Sequence, residues 1–310
     1  MRLVRPFETL FLLCAVLAGV GVSLWLAIWS PDALLRDPLP LYRQGAATSS
    51  PEIIGTRDIR HIRLVGPDEE TVPFQVSLPH DLSTAVVPIV VIVNGLSGQP
   101  DPIKHVTHPG PNAIVVYQPP LETENSIEST FPVGAWDARS RIYRMPEEVS
   151  AILAWVGRQE WADKKRINLV GIGWGAVMLP AIRRRAGATG RPINASVFIN
   201  GGTDIASLAS ANLDISARWL RHPAAWVADF MLRPLAPETH LPEIAGPFLI
   251  ITAPDDPAIP EASRTGLEAL LPSPKTMASV ARGDDTPAAY YQRVIRVAQN
   301  WLVAQGAVNP

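Results

Sequence analysis

The 310-residue chain has a single cysteine, Cys14, so it can form no intramolecular disulfide and no cysteine-based metal centre. Its six histidines end at His240, and only His105 and His108 are spaced like a ligand pair; that pair reads as loop surface, so no metal is expected. Charge of one sign is also lacking. With 27 basic and 29 acidic residues, a net charge of -2 and a pI near 6.3, the chain has no electrostatic footprint for nucleic acid. The one basic cluster, Arg183-Arg184-Arg185, reads as a solvated helix end favoured by the helix dipole. There is no internal repeat and no low-complexity tract. What remains is a globular composition, 47% hydrophobic and 18% charged, sufficient for one substantial core or one core with an insertion.

Residues 9–29 carry no charge and would make roughly 31 Å of helix, enough to cross a bilayer. Arg2 and Arg5 precede this run, Asp32, Arg36 and Asp37 follow it, and Trp25 and Trp29 sit where an interfacial aromatic belt belongs. The pattern predicts one membrane anchor over residues 1–30, with the N-terminus inside and the following domain on the non-cytoplasmic side. A cleaved signal peptide is the rival reading, but its apolar region is normally shorter, and Ser30-Pro31 lacks a small-x-small junction. Cys14 follows Leu13 rather than a small residue, which argues against lipidation.

Pro31, Pro38, Pro40 and Pro51, with the Thr48-Ser49-Ser50 cluster, mark residues 31–52 as an extended linker. The domain proper then spans 53–310. Residues 58–65 and 71–78 have strand character around Gly66-Pro67-Asp68 and predict an antiparallel hairpin. Apolar runs at 87–94, 113–118, 167–170, 195–199, 247–252 and 276–280 look like buried parallel strands. Helical patterns lie between several of them, at 146–159, 174–185, 260–271 and 287–303. The expected fold is an α/β sheet covered on both faces. Residues 202–245 are too long for an ordinary connection and read either as an inserted helical cap or as further core-covering helix, since Trp219 and Trp226 would share one helical face.

The run Ile167-Asn168-Leu169-Val170-Gly171-Ile172-Gly173-Trp174-Gly175-Ala176 occupies the frame of a G-x-S-x-G nucleophile elbow, a strained strand-to-helix turn that lifts a serine above a sheet. The central residue here is Gly173. With the strand order, the approach Lys164-Lys165-Arg166 and the strand Val91-Ile92-Val93-Asn94-Gly95, residues 53–305 resemble the α/β-hydrolase superfamily of esterases, lipases, dienelactone hydrolases and prolyl oligopeptidases. The resemblance implies an acidic triad member at the strand end Thr252-Ala253-Pro254-Asp255-Asp256-Pro257-Ala258-Ile259-Pro260. Register picks Asp256, with Asp255 the less favoured choice. The family's histidine is expected in Val280-Ala281-Arg282-Gly283-Asp284-Asp285-Thr286-Pro287, which has none; Asp284 or Asp285 stands where it would be. The vestigial site is therefore Gly173, Asp256 and Asp284.

A serine nucleophile needs a base, and glycine supplies no nucleophilic atom. Backbone persists: the amide of Trp174 and one from the Asn94-Gly95-Leu96 loop, taken at Leu96, can still form an oxyanion hole. The same glycines satisfy G-x-G-x-x-[GA], but the next strand ends at Asn200-Gly201 without the acid that a ribose requires, and Trp174 is bulky where a pyrophosphate must approach; no cofactor is expected. Ser97 with His105 or His108 is the other route to activity, as a relocated site. Asp256 and Asp284 could also face each other and recruit a cation. Asn194-Ala195-Ser196 matches a glycosylation acceptor but enters a buried strand. The expected function is a pseudo-hydrolase held at the cell envelope, binding or scaffolding through a protein partner or a small acyl-type ligand. The alternative is an active hydrolase of an ester, amide or similar acyl substrate.

Overall fold

Val87–Val93 is apolar throughout, and the strand it forms is buried at every position, the signature of a strand covered on both faces. In the computed structural model it lies near the middle of a ten-stranded sheet. The structure describes residues 38–45, 52–67, 69–82, 86–95, 109–119, 133–212 and 221–310, together with residues 16, 103, 106 and 219. Residues 9–15 and 17–29, with Cys14 among them, and Leu96, Ser97, His105 and His108, lie outside the described residues. Among the described residues no helix is long and apolar enough to cross a membrane.

The strands are β1 (Arg43–Gln44), β2 (Glu52–Ile54), β3 (Arg57–Val65), β4 (Thr71–Pro79), β5 (Val87–Val93), β6 (Ala113–Tyr117), β7 (Ala162–Ile172), β8 (Ala195–Ile199), β9 (Phe248–Thr252) and β10 (Lys275–Ser279). Their order is β1-β3-β4-β6-β5-β7-β8-β9-β10, with β2 also paired to β3. The β3–β4 hairpin and the β4–β6 pair are antiparallel, and every pair from β6 through β10 is parallel. Part of the expected linker is thus built into the sheet. Arg43–Gln44 and Glu52–Ile54 pair with β3, because an antiparallel hairpin leaves an open edge that flanking chain can complete.

The helices are α1 (Val133–Val156), α2 (Trp174–Ala188), α3 (Ile205–Asn212), α4 (Arg221–Leu232), α5 (Pro237–His240), α6 (Glu261–Leu270) and α7 (Pro287–Ala304). Alternate strand residues face two layers. Ile89, Val91 and Val93 pack with Ile152, Leu153, Met178 and Ile182 of α1 and α2. Val90, Ile92, Val170 and Val197 pack with Tyr290, Val294 and Leu302 of α7. Helix α1 starts thirteen residues before the predicted 146. Pro146 reads as a first-turn signal, yet it lies inside the helix, where Ser150 Oγ donates to its carbonyl at 2.6 Å.

The arginine cluster is not a solvated helix end, since Arg183 and Arg185 are both buried. Arg183 donates to Ser196 Oγ, to Ile193 O at 3.1 Å and to Ala245 O, and its guanidinium stacks 5.1 Å from the Phe248 ring. A planar five-donor group can satisfy two chain segments and an aromatic face together, which makes its burial tolerable. Desolvation pulls its pKa down to about 10.

Between β8 and β9 the excursion forms α3, α4 and α5. Ile205, Leu208, Leu232, Leu235, Leu241 and Ile244 join the core beside α1 and α2. The tryptophans of the excursion do not cover the core: Trp219 is 76% exposed and Trp226 66%. The excursion therefore covers one layer and turns an aromatic face outward.

Candidate functional site

The parallel strands all end along one edge of the sheet. Residues just past their ends are tied sideways: Gly173 N donates to Ile199 O, Asn200 N to Ile251 O, and Val280 N to Thr252 O, each at 2.9 Å. The chemistry expected from the sequence falls along this edge.

Gly173 joins β7 to α2 with φ 57° and ψ -122°, a backbone region that side-chain-bearing residues enter only with strain. Its carbonyl accepts from Ala176 N at 2.9 Å and Val177 N at 3.1 Å, starting the helix. Its glycine neighbours are required for a different reason. A β-carbon on Gly171 would lie 2.6 Å from Ala176 Cα, and one on Gly175 only 2.1 Å from Val93 O. The helix thus crosses β5 and β7 at backbone contact. Trp174 is the first residue of α2, so its amide is one of the initial helix donors without an i−4 acceptor. Gly175 also packs against the start of the Asn94-Gly95 loop, where Asn94 Oδ1 accepts from Gly95 N at 3.0 Å and Asn94 Nδ2 donates to Gln118 Oε1 at 3.3 Å. The Leu96 amide lies outside the described residues.

Asp255 and Asp256 follow β9 and have separate tasks. Asp256 is buried, 8% exposed; its Oδ1 accepts from Ala258 N at 3.0 Å and pairs with Arg282 Nη1 at 3.2 Å. Asp255 is exposed and clasps the loop after β10, accepting from Arg282 N at 2.8 Å and Gly283 N at 2.9 Å. Those amide bonds hold its carboxyl below the ordinary range. Arg282 also lies over the Tyr290 ring at 5.7 Å. Tyr290 OH donates to Asn200 Oδ1 at 2.9 Å, and burial pushes the hydroxyl up, keeping it a neutral donor. Asn200, past the end of β8, has φ 51°.

The loop after β10 therefore brings Arg282 to Asp256, a pairing the sequence reading did not make. Asp284 is exposed, and Asp285 pairs with Arg293; no carboxylate pair or metal-holding cluster forms among the described residues. A signal for Arg282 was available. A buried carboxylate needs a compensating cation, and Arg282 is the only cationic residue between 280 and 286. Asn194, the apparent glycosylation acceptor, donates to Asn168 Oδ1 at 3.3 Å beside the fully buried Ser196. An apolar cavity lies under α7, lined by Val90, Ile92, Ile114, Val170, Leu302 and Val308. Two amide side chains, Asn112 and Gln299, also line it, and Asn112 Nδ2 donates to Pro109 O at 2.6 Å and Asn309 O at 2.9 Å.

An antiparallel start, a parallel run, a glycine-framed turn after β7 and an acid after β9 define the α/β-hydrolase fold, and the chain has it. Solved structures agree. An acetyl xylan esterase from Paenibacillus sp. R4 is 15% identical, with 87% of this chain and 92% of that one aligned at a TM-score of 0.59. A cold-adapted esterase from an Arctic intertidal metagenomic library is 12% identical, covering 86% and 100% at 0.58. The acylaminoacyl peptidase of Pyrococcus horikoshii is 16% identical over 81% of this chain, which spans only 42% of the peptidase, at 0.58. No protein-family model and no curated protein matches the sequence. At these identities the likeness is one of fold.

Proposed function

We propose that this chain is a membrane-anchored α/β-hydrolase-fold protein that has lost acyl-transfer catalysis and serves as a binding or scaffolding component at the cell envelope, its domain on the non-cytoplasmic side. The observation that carries the reading is the pair of replacements at the strand ends. Gly173 holds the elbow turn with no nucleophilic atom, and Arg282 occupies the carboxylate of Asp256. An arginine cannot stand in for histidine, because its guanidinium stays protonated and takes no proton from a hydroxyl. What the edge retains is donors. The first amides of α2 and the Arg282 guanidinium suit a small acyl-type ligand or a carbonyl presented by a protein partner. Residues 9–29 supply the anchor.

The test is incubation of the full chain with chromogenic acyl esters and a serine-directed phosphonate. Neither turnover above background nor stoichiometric labelling is expected. Turnover abolished by Ser97→Ala would establish the alternative instead, an acyl hydrolase with a relocated nucleophile of the broad kind that the esterase and peptidase neighbours represent.

A further inference from the structure

Away from the strand-end edge, a cluster of ionisable groups lies between α1 and the chain segment that carries β1. Glu148 of α1 accepts from Tyr117 OH at the end of β6. Its neighbour Glu147 accepts from Tyr42 OH at 2.9 Å. Arg144, one turn back on the same helix, pairs with Glu70 at 2.8 Å. Glu70 immediately precedes β4, and Tyr42 immediately precedes β1. The groups that act on Glu148 are thus Tyr117 from β6, Arg144 and Glu147 from α1 itself, Glu70 from the hairpin and Tyr42 from the β1 segment. Three carboxylates share one guanidinium, and Glu70 already engages it.

Once ionised, Glu148 faces two like charges in a largely desolvated setting. Tyr117 and Arg144 offset part of this, but burial is the larger effect and pushes the carboxyl above its ordinary range. A charge held there gains from any opening that admits water. The elements around it do not open with equal ease. β6 is paired on both sides, to β4 and to β5, and Glu70 borders a hairpin with nine paired residues in each strand. β1 is two residues long and, among the described residues, pairs with β3 alone. It is held besides by the Tyr42 ring against the core, by Gln44 Oε1 accepting from Trp155 Nε1 at 2.9 Å, and by Gly45 N donating to Arg63 O at 2.8 Å. Short edge elements of this kind open locally, below the free energy of global unfolding.

We infer that residues 42–45 form a pH-sensitive strap, docked on α1 while Glu148 carries its proton and released as Glu148 ionises. Release returns these residues to the linker and lengthens the connection to the preceding chain. The docked state keeps the Glu148 proton to higher pH than the open state, in which water reaches the carboxyl. Docking therefore weakens as pH rises through the interval between the two values, by about tenfold in the docked-to-open ratio for each pH unit of that interval. Below the interval, docking does not depend on pH.

Amide hydrogen exchange of the full chain in detergent micelles tests this, read at single-residue resolution between about pH 5 and pH 8 and corrected for the exchange rate of free amides. The Gly45 amide should be less protected than the amides of β8 at every pH, the mark of local opening. Its protection should fall by about threefold or more across the range. Glu148→Gln keeps an acceptor for Tyr117 and cannot ionise, so Gly45 protection should then stay constant. Tyr42→Phe, which drops the bond to Glu147, should lower that protection at every pH and leave its slope intact. Gly45 protection that does not change with pH overturns the inference, as does a fall that survives Glu148→Gln. A slope abolished by Tyr42→Phe places the response in the Tyr42–Glu147 bond, and protection of Gly45 equal to that of β8 places the opening in global unfolding; either result overturns the strap as well.

Discussion

Replacing Gly173 by serine restores the atom that the elbow frame lacks, and the structure gives its cost. At φ 57° and ψ -122° a β-carbon adds about 1–3 kcal/mol of backbone strain. Removing a glycine also restricts the unfolded chain, which returns about 0.4–1 kcal/mol. The net expectation for Gly173→Ser is a loss of about 1–2 kcal/mol. The frame supplies its own controls. Gly175→Ala forces a methyl to 2.1 Å from Val93 O and Gly171→Ala to 2.6 Å from Ala176 Cα; both contacts are with backbone, and each variant should lose about 3 kcal/mol or more, Gly175→Ala the most. Gly187→Ala, within α2 and with nothing near its added β-carbon, should gain about 0.5–1 kcal/mol from helix propensity. Denaturant melts followed by circular dichroism measure all four. If Gly173→Ser melts with the parent while Gly187→Ala shifts as expected, residue 173 is not in the left-handed region and the elbow description is wrong. If Gly175→Ala is also tolerated, the close crossing of α2 over β5 is wrong as well.

The partner of Asp256 makes a second prediction. Gly173→Ser with Arg282→His should acquire slow labelling by a serine-directed phosphonate, whereas Gly173→Ser with Asp284→His should not, because Arg282 reaches the Asp256 carboxylate and Asp284 is exposed; equal labelling of the two would refute that pairing. A third concerns Glu148, which accepts a short hydrogen bond from Tyr117 OH and whose carboxyl is raised chiefly by burial. A raised folded-state value means that the native protein binds more protons than the unfolded chain between the ordinary carboxylate value and the raised one, so stability falls as pH rises through that window. Glu148→Gln keeps an acceptor for Tyr117 and removes the titration; urea melts at pH 5 and pH 8 should show less loss of stability in the variant than in the parent, and parallel profiles would contradict the assignment.

The strands were legible where composition and burial coincide. The runs at 87–94, 195–199 and 247–252 match β5, β8 and β9 because a strand covered on both faces must be apolar throughout. The glycine frame likewise announced a turn. The reading stopped short where a residue has two uses. Pro146 signals a helix start yet lies inside α1, and Arg183 looks like surface charge until Ser196, Ala245 and Phe248 are seen around it. β1 and β2 are too short to carry a period and depend on an edge supplied by β3. Arg282 is hidden for a further reason: the family resemblance points to a histidine in this loop, whereas the physical demand is for whatever neutralises Asp256.

The glycine frame around residue 173 divides its labour unevenly. The outer two glycines are fixed by contact with neighbouring backbone, so any side chain there dismantles the junction of helix and sheet. The middle one carries the positive φ, a penalty of conformation that a folded domain can absorb. The reagent of such a site and its architecture therefore have separate fates over generations. A lineage can lay down the nucleophile at residue 173 and relax a strained turn in the same substitution, gaining stability as it gives up chemistry. The surrounding geometry is still inherited whole, available to whatever binds there next.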